Sequence, residues 1–286
     1  MMTSPAVLLL AVACLGVASA QTPQAPAPGA GATQPAVEFA GADDLLKALE
    51  SADADLRSLS CQLLWTKTFD LGEDRHTRSG RLFFVDSRRD APAPGTRKFA
   101  VHIDETIIGD RKETRKEQYI FDGAKLVERH PDDKRLVVYE IKSQGQNYDP
   151  LKIGEGPIPL PIGQKRDDIL ARFDAELLPP DKDLQGDDEA DTARLLAFVK
   201  GAYQLRLTPR PDQQASMNFT EIRLWYRRGT QAGGDAHLLP RMARTVDRKK
   251  DVDLVQLVGV KTNLKVDEAF DASAPAGWEV QVRQQQ

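Results

Sequence analysis

The feature that most limits how this chain can fold is a two-residue alternation of apolar and polar side chains that recurs along it. Lys98–Asp104 (KFAVHID) places Phe99, Val101 and Ile103 on one face and Lys98, Ala100 and His102 on the other. Tyr203, Leu205 and Leu207 alternate with Gln204 and Arg206, and Phe219–Arg227 sets Ile222, Leu224 and Tyr226 on a common face. Only a pleated strand presents residues with this period, and only a buried face rewards it. Ser58–Leu71, Arg78–Asp86, His237–Arg248 and Asp253–Lys261 add further strands. Glu117–Phe121, Lys125–Arg129 and Arg135–Ile141 are separated by Asp122-Gly123 and by His130-Pro131-Asp132-Asp133, so they predict an antiparallel meander on tight turns.

Helical periodicity is rarer. Ala42–Leu56 carries Leu45, Leu49, Ala52 and Leu56 on one stripe, with Asp43 and Asp44 where a helix dipole favours negative charge. Between the two groups of strands lies GEGPIPLPIGQKRDDILARF, Gly154 to Phe173. Pro157, Pro159 and Pro161 cannot donate to a strand ladder. The residues from Gln164 to Leu177 then predict a helix with Ile169, Leu170 and Phe173 on one side. Pro179–Asp191 is predicted to be an exposed loop, and Thr192–Lys200 fits either helix or strand. One helix, meandering strands, a helical interruption and more strands make an α+β fold, with one curved antiparallel sheet and helices on one side.

The N-terminus differs from the rest. Residues 1–20 hold no charge, and the apolar run Ala6–Val17 is too short to span a bilayer comfortably. It closes on Ala18-Ser19-Ala20, which suits cleavage before Gln21 as a Sec signal peptide. A lipid anchor on Cys14 is the alternative reading. Residues 21–38, rich in Pro, Ala, Gly and Gln, read as a disordered linker, and 39–286 as one domain. The mature chain then holds no transmembrane helix and is periplasmic or secreted, with Cys61 as its only thiol, a small core residue in an apolar strand.

Chemistry-bearing patterns are scarce. The net charge is −4, with both signs interspersed, and gives no basic field for nucleic acid. Gly-x-Ser-x-Gly, the P-loop and the dinucleotide fingerprint are absent. None of His76, His102, His130 and His237 has a partner at metal-ligand spacing. Each reads as an exposed or capped imidazole, and no catalytic residue, metal or cofactor is expected.

The order of elements resembles the LolA/LolB-like superfamily of periplasmic lipoprotein carriers. The resemblance runs through Gly80-Arg81-Leu82-Phe83-Phe84-Val85, Arg97–Val101, Tyr119–Val127 around Asp122-Gly123, Leu205-Arg206-Leu207-Thr208-Pro209, and the closing Asn263, Phe270 and Pro275-Ala276-Gly277-Trp278. It implies an incomplete antiparallel barrel around an apolar cavity, with helices covering the concave face. It implies a cavity wall of Phe99, Val101, Ile103, Leu205, Leu207, Ile222 and Leu224. It implies a lid of Ile158, Leu160, Ile162, Ile169, Leu170 and Phe173, and Arg97 as the counterpart of a functional arginine. The function implied is a non-enzymatic envelope binding protein that holds a lipid or lipoprotein acyl chain. A sensor or protein-interaction module on the same fold, with an envelope protein partner and no lipid, is the alternative. A hydrolase with an unrecognised site is the third. Alternating apolar strands also describe a core filled by its own side chains, and sequence leaves a cavity and a filled core open.

Overall fold

A computed structural model describes residues 39–71, 74–88, 95–140, 150–153, 156, 162–230, 236–266 and 270–284. The expected signal peptide and linker, and Cys14, lie outside these residues.

Among the described residues, thirteen strands form one sheet. They are β1 (Ser58–Thr68), β2 (Arg75–Asp86), β3 (Arg97–Ile108), β4 (Arg111–Glu113), β5 (Glu117–Phe121), β6 (Leu126–His130), β7 (Arg135–Glu140), β8 (Phe173–Leu178), β9 (Tyr203–Pro209), β10 (Phe219–Thr230), β11 (Ala236–Asp247), β12 (Val252–Thr262) and β13 (Glu279–Gln284). The spatial order is β13-β7-β6-β5-β3-β2-β1-β12-β11-β10-β9-β8, with β4 attached to β3. Every pairing is antiparallel except β13 on β7, which is parallel. The sheet does not close, because β13 and β8 end it without meeting. The fold is α+β, an incomplete antiparallel barrel. The strands before and after the 141–172 interruption meet where β1 pairs with β12.

The alternation defines an inner face. Leu59, Leu63, Leu82, Phe84, Phe99, Val101, Ile103 and Leu257 bury together on one part of it. Helix α1 (Ala42–Ala54) lays Leu45, Leu46 and Leu49 on the rest of it, against Phe173, Leu205, Leu207, Ile222 and Leu224. Helix α2 (Arg166–Leu170) adds Ile169 and is tied to α1 by Arg166, whose Nε donates to Asp43 Oδ1 at 2.6 Å.

The helix expected over Gln164–Leu177 is shorter than its periodicity suggested. It stops at Leu170, and Phe173 opens β8. Phe173, Ala175 and Leu177 alternate inward, and the ladder to β9 satisfies their backbone, which outweighs the helical reading of the same apolar residues.

The outer face is also covered in two places. Helix α3 (Glu189–Val199) resolves the ambiguity over Thr192–Lys200. Asp188 caps it by accepting from the Asp191 amide at 2.7 Å, and Glu189 and Asp191 occupy its first turn. Leu195 and Val199 bury Trp225 and Met242, which alternate with the inward residues of β10 and β11. The predicted exposed loop Pro179–Asp191 contributes here as well. Leu184 is buried in this cluster, and the Pro180 and Lys182 carbonyls accept from Trp225 Nε1 and Arg223 Nη1. At the other end of the sheet, Phe270, Ala272 and Trp278 cover Ala100, Ile120, Val127 and Leu136. Strands buried on both faces lose their alternation, which accounts for the continuous apolar run of β7.

Cys61 is buried, and burial pushes its thiol up to about 12, as suits a small core residue. The exposed reading of two histidines is corrected. His102 is buried with its ring edge-on to Phe83, and His130 is the buried last residue of β6. The side chain of His237 lies outside the described residues. No helix among the described residues is long and apolar enough to cross a membrane.

Candidate functional site

A cleft of about 570 Å³ opens between the C-terminal turn of α1, the start of β3 and the chain that leads into α2. Its lining is polar. Glu50 and Asp53 come from α1, Arg88 follows β2, Arg97 begins β3, Lys152, Gly163, Gln164 and Lys165 come from the connection, and Asp168 from α2.

The side chains of Gln164, Arg97 and Asp53 hold the connection at this place. Gln164 closes it on itself: its Nε2 donates to the Leu151 and Ile162 carbonyls at 2.5 and 3.0 Å, and its Oε1 accepts from the Ile153 amide at 3.2 Å. Arg97 Nη1 donates to the Gly163 carbonyl at 2.9 Å. Gly163 adopts φ +68, a conformation that favours glycine, and a Cβ there would stand 2.8 Å from Arg97 Nη1 and push the guanidinium aside. From the helix side, the Gly163 and Gln164 amides hydrogen-bond to the Asp53 carboxylate.

Asp53 carries the most perturbed charge of the cleft. Burial raises its carboxyl to about 7, against the two amides and Arg97, which favour the anion. Nearby Asp86 takes the opposite direction. Bonds from Arg88, with Nε at 2.9 Å and Nη2 at 2.6 Å, hold it below the usual carboxylate range although burial opposes them. Burial and Arg88 lower Arg97. A carboxyl that titrates near neutrality beside a fixed guanidinium makes the charge of the cleft pH-dependent.

The sign of that dependence gives a prediction. Because the folded state binds the Asp53 proton more tightly than the unfolded chain, its stabilising contribution is complete below about pH 4 and is lost as pH rises through about 7. Asp53→Asn, which is never charged, is expected to escape that loss. Its stability relative to the parent should rise between pH 5 and pH 8, by on the order of 1–3 kcal/mol. Thermal melts of both proteins across this range check it, and parallel curves would refute it.

All seven residues expected to form a cavity wall are inward-facing and buried. Phe99, Val101 and Ile103 belong to the β1–β6 side of the interior, whereas Leu205, Leu207, Ile222 and Leu224 lie under α1. Their side chains pack on one another. Of the expected lid, Ile162 joins the first group, Ile169 and Phe173 join the second, and Leu170 is partly buried against it. Ile158 and Leu160 lie outside the described residues. Arg97 is the one expected site residue that lines the cleft. Asp53 and Gly163 went unrecognised in the sequence. Asp53 breaks the polar face of α1 in no visible way, and the only local sign of Gly163 is a glycine between a proline-rich run and a helix.

No family model matches the chain, and no curated protein matches it. Solved structures do. An uncharacterized conserved protein from Thermus thermophilus matches with TM-score 0.43 and 12% identity over 85% of this chain and 99% of that one. A DUF1329 family protein from Desulfovibrio piger gives 0.40 and 12%, over 79% and 93%. In architecture the chain is also similar to a LolA superfamily protein. That one, from Nitrosomonas europaea, gives 0.37 and 11%, over 82% and 98%. No residue role follows from likeness at this level.

Proposed function

We propose that the protein is a non-enzymatic binding protein of the cell envelope that holds a lipid or lipoprotein acyl chain between its sheet and its helical cover. The observation that carries this reading is how the interior is closed. The apolar inner face of an unclosed sheet is covered by α1, α2 and the connection before α2, not by a second sheet. Part of that cover is held by a few polar contacts at one cleft, through Arg97, Gln164 and Asp53. Displacing it would expose Phe99, Val101 and Ile103 on one side and Leu205, Leu207, Ile222 and Leu224 on the other. Each methylene buried there would contribute about 0.8 kcal/mol. Ile158, Leu160, Ile162, Ile169, Leu170 and Phe173 would close over the chain. Residues 1–20 would direct export to the periplasm, and 21–38 would act as a tether.

An envelope protein partner is the second reading, favoured by β13. This strand ends the sheet and exposes Val280 and Val282 at 50% and 59%.

Native mass spectrometry and lipid extraction of the protein, expressed with its signal peptide, test the first reading. Acyl species at near one equivalent are expected. A clean apo mass, with no uptake of a fluorescent fatty acid, would overturn it and leave the interior as a filled core.

A further inference from the structure

Away from the cleft, the inner face of the meander gathers charge that the proposed function does not use. The β5–β6 register pairs Gln118 with Arg129, so one step further along Glu117 stands opposite His130. Glu128 lies two residues before His130, on the same face. His130 is 4% exposed. Its Nε2 lies 2.8 Å from Glu128 Oε1, and its Nδ1 lies 3.7 Å from Glu117 Oε1. That Nδ1 is fully buried and has no hydrogen-bond partner among the described residues. Tyr139 Oη donates to the other oxygen of Glu128 at 2.6 Å and fixes its orientation.

We infer that Glu117, Glu128 and His130 form a binding site for one divalent transition-metal ion, of the zinc class. One ligand atom from each side chain falls within 4.8 Å of the others. An imidazole binds one ion through one nitrogen, so Nδ1 and Glu117 would ligate, and Glu128 would leave Nε2 by a rotation of its side chain to join them. At metal–ligand distances of about 2.0–2.2 Å, neighbouring ligands in a tetrahedral site lie about 3.4 Å apart, close to the Nδ1–Glu117 separation. The donor set of one imidazole and two carboxylates is of intermediate hardness and suits zinc or manganese better than calcium. Charge points the same way. With a neutral imidazole, two partly buried carboxylates face Arg78, whose Nε is 3.7 Å from Glu117 Oε2, while Arg115, paired with Asp133, acts on Glu117 from farther away. Arg78 is also drawn over the Trp65 ring at 4.7 Å. A divalent ion supplies the missing positive charge and gives Nδ1 the partner it lacks. Tyr139 would then orient Glu128, as outer hydrogen bonds orient metal-binding carboxylates. The site joins β5 to β6, so an ion there would brace the meander.

Titration of the full-length protein, stripped with a chelator, with Zn²⁺ alone tests this. Calorimetry is expected to show one equivalent bound, and thermal melts should show a higher Tm with Zn²⁺. His130→Gln, Glu117→Gln and Glu128→Gln should each weaken binding roughly 10–100-fold or more and abolish the Tm increment. His76→Gln removes the partly buried imidazole beside Asp74, outside this cluster, and should leave binding unchanged. Should the His130 variant fail to fold, the near-isosteric Glu117→Gln carries the test. As a second readout, Co²⁺ should give a visible absorption band in the parent that is lost in these variants. No saturable Zn²⁺ binding, or binding equal in the parent and all three variants, would overturn the site and leave His130 as a buried hydrogen-bond partner of Glu128.

Discussion

Trp225→Ala is expected to cost about 3–5 kcal/mol of stability, the largest loss from any single substitution considered for this protein. The indole is fully buried on the outer face of the sheet, among Leu184, Leu195, Val199 and Met242. It is the anchor over which α3 and the 179–188 loop are seated. Its Nε1 also donates to the Pro180 carbonyl at 2.8 Å, so alanine leaves both a void and an unpaired acceptor. Trp225→Phe keeps most of the volume and should recover all but about 1–2 kcal/mol. Urea denaturation of the three proteins measures both steps. A Trp225→Ala loss below about 1 kcal/mol would mean that α3 is not seated on this residue.

Gly80→Ala is expected to destabilise by about 1–3 kcal/mol or more, although it adds a single methyl group. Gly80 sits at the bulge where the β2–β3 register shifts between Ser79 and Gly80. A Cβ on it would run into the backbone carbonyl of His102, and a carbonyl in a paired strand cannot rotate away as a side chain can. Gly41→Ala is the control. A Cβ there meets nothing within 4 Å, and its φ of −174 is ordinary extended backbone, so its cost should stay below about 1 kcal/mol, the loss of glycine at the N-cap of α1. Equal losses at the two positions, measured by denaturant midpoint, would remove the steric argument.

Both positions show why some of the structure could be read from the sequence and some could not. The strand pattern was legible because alternation is local. Phe99, Val101, Ile103, Leu205, Leu207, Ile222 and Leu224 face inward, as their spacing requires. The turn at Asp122-Gly123 was legible for a similar reason: Gly123 has φ +100, and Asp122 accepts from the Ala124 and Lys125 amides. Trp225 was not legible as an anchor, because its role depends on α3 and the 179–188 loop, which no strand pattern announces. The helix reading of Gln164–Leu177 failed where a neighbouring strand offered a ladder that the sequence cannot display.

The sequence alone determined the α+β class, ten of the thirteen described strands (all but β4, β8 and β13) and the inward face of those that alternate. These follow from a two-residue period and a few turn residues, each acting over fewer than about ten positions. The tertiary structure decided which strands meet, where the sheet stays open, and which charges share a site. Asp53 meets Gly163, Glu117 meets His130, and Arg97 meets the connection before α2 only after register and packing have been set. Those pairs lie 13 to 110 positions apart in the chain, and nothing in either partner's local pattern encodes the other.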